Sequence, residues 1–232
     1  MKYTNIVQGK FISRPNRFIA KVSVGGTEHT VHVKNTGRCR ELLVPDATVF
    51  LEKSSNPHRN TQYDLVSVIK TYNDGREPVL INMDSMAPNI AAYEWVADKA
   101  RKVDCIVRRE VTYGDSRLDI CVEESGGGKT FIEVKGVTLE ENGVAMFPDA
   151  PTQRGVKHIY ELIKCVQDGH RAYILFVIQM KGCRTFNPNK EMHPEFAAAL
   201  CWAQQNGVGI IAMDCVVTQD SMAIDAPIAV EL

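Results

Sequence analysis

Polar and apolar positions alternate in short runs through the first 82 residues, the two-residue period of strands with one buried face. The run at 18–24 ends on Gly25-Gly26, and a second run at 29–33 follows, which predicts a hairpin closed by a two-residue turn. Runs at 48–51, 63–69 and 79–81 predict three more strands. Short antiparallel strands at this spacing predict a small barrel. At Pro88 the period changes. Proline suits a first helical turn, so a helix is predicted from Asn89 to about Lys102. Strands are predicted at 105–113 and 117–123 and, beyond Gly126-Gly127-Gly128, at 130–134. Thr152 is the predicted N-cap of a helix reaching about Asp168, with apolar Val156, Ile159, Tyr160, Ile163 and Val166 at helical spacing. A buried strand at 171–178, a helix opened by Pro194 and a strand at 208–213 complete the pattern. A mixed α/β domain spanning 83–232 is therefore predicted behind a barrel spanning 1–82.

Composition changes this picture little. Hydrophobic residues make up 44% and charged residues 24% of the 232, ordinary values for a globular protein. No apolar stretch follows Met1-Lys2-Tyr3-Thr4-Asn5, and the longest apolar run, 172–178, is too short to cross a bilayer. A cytoplasmic protein without a membrane partner is expected. The seven cysteines show no CxxC pair and no zinc spacing, so reduced, mostly buried thiols are expected. Charge is distributed unevenly. Residues 1–60 carry ten Lys/Arg against four Asp/Glu, leaving 17 against 24 for the remainder. A basic end joined to an acidic remainder suits phosphate binding at one end and metal-binding carboxylates at the other.

The candidate chemistry lies in Phe131-Ile132-Glu133-Val134-Lys135. In a strand Glu133 and Lys135 share one face, while Ile132 and Val134 point into the core. Asp119 stands among apolar neighbours in the preceding strand, and the short glycine link predicts that the two strands pair. Two carboxylates meeting there suit a hard cation such as magnesium, with the Val134 carbonyl as a further candidate ligand. Such a cation lowers the pKa of a bound water and neutralises charge on a phosphodiester. Lys135 is placed to orient that water or stabilise the phosphate. On its own a Glu and a Lys two apart on a strand are more often a solvated pair.

Several stretches add weight. They are Asn35-Thr36-Gly37-Arg38, Pro88-Asn89, Ser116-Arg117-Leu118-Asp119, Ile132-Glu133-Val134-Lys135-Gly136-Val137-Thr138-Leu139 and Phe147-Pro148-Asp149-Ala150-Pro151-Thr152. The last continues through Arg154-Gly155 and Lys157-His158 to Glu161-Leu162. Together, over nearly the whole chain, they resemble the sugar fermentation stimulation protein A (SfsA) family. The resemblance implies an N-terminal OB-like β-barrel followed by a PD-(D/E)xK, restriction-endonuclease-like α/β domain. It also implies DNA binding and cleavage of DNA or RNA; with the carboxylate pair, Mg2+ or Mn2+ is the expected cofactor. Asp119, Glu133 and Lys135 match the nuclease triad by position. Glu94, in the first helix, stands where such folds often supply another acidic metal ligand. Cys39, Asp46 and His193 depart from the family pattern, which has methionine, glycine and aspartate there; none belongs to the triad.

Two basic groups are candidate nucleic-acid contacts. Arg154 and His158 lie four apart with Glu161 three further on, on a face assigned opposite the apolar stripe. In related nucleases this helix flanks the metal site, which makes Arg154, Lys157 and His158 candidates for substrate phosphate. The alternative is a solvated face with an Arg154/Glu161 or Lys157/Glu161 ion pair. In the N-terminal segment Arg14, Arg17, Lys34, Arg38, Arg40, Lys53 and Arg59 interleave with Phe11, Phe18, Phe50 and Tyr63. OB barrels bind single strands with basic grooves and stacking aromatics. Phe18 and Phe50 are expected in the core, leaving Asn35, Arg38 and Arg40, in a loop suited to close approach, as the better candidates. Two readings stand at this point: a metal-dependent nuclease, and a non-cleaving DNA-binding regulator linked to sugar utilisation. Clustered carboxylates, which repel phosphate, favour the first.

Overall fold

A computed structural model describes residues 1–35 and 37–232. Six strands form the N-terminal sheet: β1 (Ile6–Asn16), β2 (Ile19–Val24), β3 (Thr27–Val33), β4 (Thr48–Lys53), β5 (Tyr63–Lys70) and β6 (Val79–Asn82). Their order is β3-β2-β1-β4-β5-β6, and β3 also pairs in parallel with β5 through His32↔Asp64 and Val33↔Leu65. That pairing closes β1–β5 into a five-stranded OB-fold barrel, which leaves few open edges. Gly25 and Gly26 both have positive φ, the conformation that the tight β2–β3 turn requires. Phe11, Val22, Val31, Val49, Leu51 and Leu65 fill the barrel.

The second domain begins with α1 (Ala87–Arg101), followed by β7 (Ile106–Tyr113), β8 (Ser116–Glu123) and β9 (Lys129–Val137). The chain continues through β10 (Leu139–Glu141), β11 (Val144–Phe147), α2 (Gln153–Gln167), β12 (Arg171–Ile178), β13 (Thr185–Pro188) and α3 (Pro194–Gln205). It ends with β14 (Gly209–Val217), β15 (Met222–Pro227) and β16 (Ala229–Val230). The main sheet has the order β15-β14-β12-β9-β8-β7, with β9, β12 and β14 parallel at its centre. Parallel strands need cover on both faces. One face packs Ile120, Ile132, Val134, Leu175 and Val177 under Ala87, Ala91, Ala92 and Val96 of α1. The other packs Phe131, Ala172, Ile174 and Phe176 under Val156, Ile159 and Leu162 of α2 and Phe196 and Leu200 of α3. Strands β10, β11, β13 and β16 form a small separate sheet.

Thr152 caps α2 as expected, its hydroxyl accepting the Gly155 N–H at 3.0 Å. The orientation of that helix differs from the sequence expectation. Tyr160, assigned to the apolar stripe, is exposed, whereas His158 and Glu161, assigned to a solvated face, are buried. The neighbours of His158 explain this: Gly155 is three residues before it and Leu162 four after, so all three turn toward the sheet. The observed partner of Glu161 is Lys164, at 2.9 Å, rather than Arg154 or Lys157.

A buried ion cluster joins the two domains. Glu140 of β10 accepts Lys70 Nζ at 2.6 Å, the Tyr72 hydroxyl at 2.8 Å, Arg76 Nη1 at 2.9 Å and the Gly143 N–H at 2.6 Å. All seven cysteines are free thiols, five of them buried. Among the described residues no helix is long and apolar enough to cross a membrane.

Candidate metal and nucleic-acid site

Strands β8 and β9 pair antiparallel through Ile120↔Ile132 and Cys121↔Phe131. Asp119 and Glu133 are the next residues along, near enough for the charge of Glu133 to act on Asp119. The regular ladder stops here. Asp119 Oδ2 instead accepts the Val134 N–H at 2.8 Å, and Asp119 Oδ1 accepts Asn89 Nδ2, from the first turn of α1, at 2.7 Å. Both oxygens are thereby oriented while each keeps a lone pair free. Burial, and after it the charge on Glu133, pushes the Asp119 carboxyl up to about 6.

Glu133 is 2% exposed. Burial by itself would raise its pKa, but hydrogen bonds from His158 and Lys135, with the Lys135 charge, outweigh that and hold it below the usual carboxylate range. Both donors meet the same oxygen. Oε1 accepts Lys135 Nζ at 2.5 Å and His158 Nδ1. Oε2 is buried with no hydrogen-bond partner among the described residues. Arg154 Nε donates to His158 Nε2 at 3.4 Å, which makes Nδ1 the protonated ring nitrogen, donating to Glu133. Gly136, next along β9, permits close approach: a Cβ there would lie 2.6 Å from both Gln179 Oε1 and Pro88 Cγ.

A divalent cation fits this donor set. Glu133 Oε2, buried and without a partner, and the oriented carboxylate of Asp119, whose oxygens keep a free lone pair each, are hard ligands. Among the described residues no group of three or more His, Cys, Asp or Glu is gathered so as to hold a metal ion. Two carboxylates would leave the other positions around a divalent cation to water and substrate.

The structure brings together Asp119, Glu133, Lys135 and His158, with Arg154 behind the histidine. Glu94 is not among them. Five residues beyond Asn89, it is turned about 140° around α1. Its carboxylate, 53% exposed, receives the Met1 ammonium at 2.6 Å. Lys157 is exposed and its Nζ donates to the Asp115 carbonyl at 2.9 Å, holding the β7–β8 turn. Asn35 serves its own loop, its side chain accepting the Gly37 N–H at 2.7 Å; Thr36 lies outside the described residues. Arg38 and Arg40 are exposed on the barrel side. The role of Asn89 was not assigned from sequence, although Pro88-Asn89 was among the stretches carrying the resemblance.

The family model described as "Sugar fermentation stimulation protein RE domain" matches residues 86–221, and that described as "SfsA N-terminal OB domain" matches residues 12–81. The chain belongs to the sugar fermentation stimulation protein family. A homolog from Clostridium beijerinckii is 52% identical over 225 residues, 97% of this chain and 96% of the relative. One from Desulfitobacterium hafniense (strain Y51) is 51% identical over 232 residues, 100% of this chain and 99% of the relative. Among solved structures, that of Pyrococcus furiosus SfsA in complex with Ca2+ superposes with a TM-score of 0.85 at 28% identity, covering 100% of this chain and 98% of that one. Family membership accounts for both domains seen here, the OB barrel and the restriction-endonuclease-like α/β sheet.

Proposed function

We propose that this chain hydrolyses phosphodiester bonds in DNA or RNA, using Mg2+ or Mn2+ held by Asp119 and Glu133. The observation that carries this reading is the buried, unpartnered Glu133 Oε2 beside the oriented carboxylate of Asp119. The Ca2+ complex of the Pyrococcus furiosus relative supports a divalent cation in this family. When bound, the cation supplies a water of lowered pKa and neutralises charge on the scissile phosphate. The remaining work falls to the side chains. Asn89 and the Val134 N–H fix the Asp119 carboxylate, and His158, backed by Arg154, fixes Glu133 by the oxygen that the cation does not use. Lys135 holds its ammonium against the same carboxylate, where it stabilises negative charge developing on phosphate or water. In this reading the barrel, residues 1–82, grips the nucleic acid and residues 83–232 cut it.

Labelled single- and double-stranded DNA and RNA, incubated with Mg2+, Mn2+ or EDTA, test this. Cleavage with a divalent cation and none in EDTA is expected. Binding without cleavage under every condition overturns it in favour of the non-cleaving regulator. Lys135→Ala is expected to lose cleavage yet bind Ca2+ as well as wild type or more tightly, since a cation is removed from the site.

His158 provides a finer test. His158→Asn keeps a donor near the position of the ring Nδ1 and is expected to bind Ca2+ within a few-fold of wild type. His158→Ala frees Glu133 to rotate and is expected to weaken Ca2+ binding about 10- to 100-fold, as removal of an outer-shell partner does. Titration calorimetry reads both. Equal affinities for the two variants would show that His158 merely fills space.

A further inference from the structure

The four aromatic residues that interleave with the basic ones divide three to one. Phe11, Phe50 and Tyr63 are buried, but Phe18, expected in the core, is 45% exposed. The β1–β2 turn fixes its place. Asn16 Oδ1 accepts both the Phe18 N–H at 2.9 Å and the Ile19 N–H at 3.0 Å, and the Phe18 carbonyl accepts the Val33 N–H at 2.7 Å. The Arg17 guanidinium lies over the ring, 4.8 Å from its centroid. A single exposed phenylalanine is unremarkable on a surface. The groove beside this one is not.

Arg14 builds that groove. Its Nη1 donates to the carbonyls of Gly37 at 2.9 Å and Arg38 at 2.7 Å, and its Nη2 to those of Arg17 and Asn35, each at 2.7 Å. One guanidinium thus ties the β1–β2 turn to the segment that carries Arg38 and Arg40. The groove has a volume of about 490 Å3, and its lining includes Arg17, Gly37, Arg38, Arg40 and, from the second domain, Ala150. Among the described residues Arg17, Arg38 and Arg40 form no ion pair with any acidic side chain. Like charges gathered without partners favour a polyanion. Gly37 is also a wall of a smaller pocket lined by Gly136, Val137 and Thr138, the continuation of the strand bearing Glu133 and Lys135.

We propose that this groove binds an unpaired nucleic-acid strand, a base stacking on Phe18 and Arg17 while Arg38 and Arg40 hold phosphates. The inference rests on the proposed hydrolysis and narrows its substrate to single strands or single-stranded ends. A duplex buries its base faces in its own stack and offers Phe18 only edges and backbone, whereas every unpaired base has a free face for the ring.

Fluorescence anisotropy in EDTA, with labelled oligonucleotides of about 15 residues as single-stranded DNA, single-stranded RNA and blunt duplex, tests it. Wild type is expected to prefer the single strands, the two arms showing which sugar is favoured. Phe18→Ala should weaken single-strand binding roughly 5- to 150-fold, leave duplex binding unchanged, and be rescued by Phe18→Tyr. Arg38→Ala with Arg40→Ala should weaken both and reduce the salt dependence, by about 0.7 in slope per lost phosphate contact on single strands. Unchanged single-strand affinity in Phe18→Ala, or an equal loss on duplex, overturns the proposal. The failure of either reading is separately visible. Cation-dependent cutting of duplex, with Phe18 irrelevant, removes the groove and leaves the hydrolysis. Single-strand binding that needs Phe18, with no cutting of any substrate, does the reverse.

Discussion

Glu133→Gln is expected to lower cation-dependent cleavage by about three orders of magnitude or more while leaving the fold intact. The shape is kept, and the amide oxygen can still accept from Lys135 and His158. The amide NH2 then occupies the position of Oε2, so a donor points where a lone pair was available for a cation. Ca2+ should raise the melting temperature of wild type through binding to the native state only, and should not raise that of the variant. Nucleic-acid binding in EDTA should be intact or slightly tighter, because less negative charge faces the phosphates. Wild type and variant cutting equally would mean that the activity belongs to a contaminant and that Glu133 has no part in it.

The second large effect concerns stability. Glu140→Ala is expected to cost about 3–5 kcal/mol, since it leaves Lys70 without its partner in a largely buried position, 13% exposed. For a chain of this size the melting temperature should fall by roughly 10 °C. Glu140 also predicts an acid limb. Burial opposes its ionisation, but Lys70, the Gly143 N–H and Tyr72 outweigh burial and bring its pKa from 4.5 to about 2. A carboxylate depressed in the folded state adds stability above its unfolded pKa and loses it as pH falls through the folded value. Wild type should therefore lose this contribution between about pH 4.5 and 2, and Glu140→Gln should lack that part of the slope. Thermal melts across pH 2–7 check this. Identical curves for the two proteins would show that the cluster adds nothing to stability.

Strand alternation made the grouping of Asp119, Glu133 and Lys135 legible. Glu133 and Lys135 two apart, with Asp119 across a short glycine link, needed only the two-residue period, and their placement on paired strands follows it. What depended on distant residues was not legible. Asn89 reaches Asp119 across 30 positions, and His158 reaches Glu133 across 25, with no local pattern to announce either. Glu94 lay near in sequence and on the right helix, but on the wrong side of it. The helix face of His158 was not legible because Tyr160, apolar in type and at stripe spacing, is exposed, while His158 and Glu161, polar in type, are buried. Strand β1 went unseen because Gly9, Lys10, Ser13, Arg14 and Pro15 interrupt its apolar positions, and only two of its eleven residues are buried. The small sheet of β10, β11, β13 and β16 is assembled from short segments far apart in the chain, which no window reading can pair. Phe18 was assigned to the core by residue type alone, but the Asn16 turn holds it outside.

Arg14 spends its charge on four carbonyl oxygens rather than on a ligand, and this bears on how fast a strand would be captured. The segments bearing Arg17 and Arg38 already hold their shape, so little ordering remains to slow association. Capture should then be limited by encounter, its rate rising steeply as salt is lowered while dissociation changes less. A lysine at position 14 cannot span four acceptors with its single ammonium, and with it the on-rate should become slower and governed by loop rearrangement.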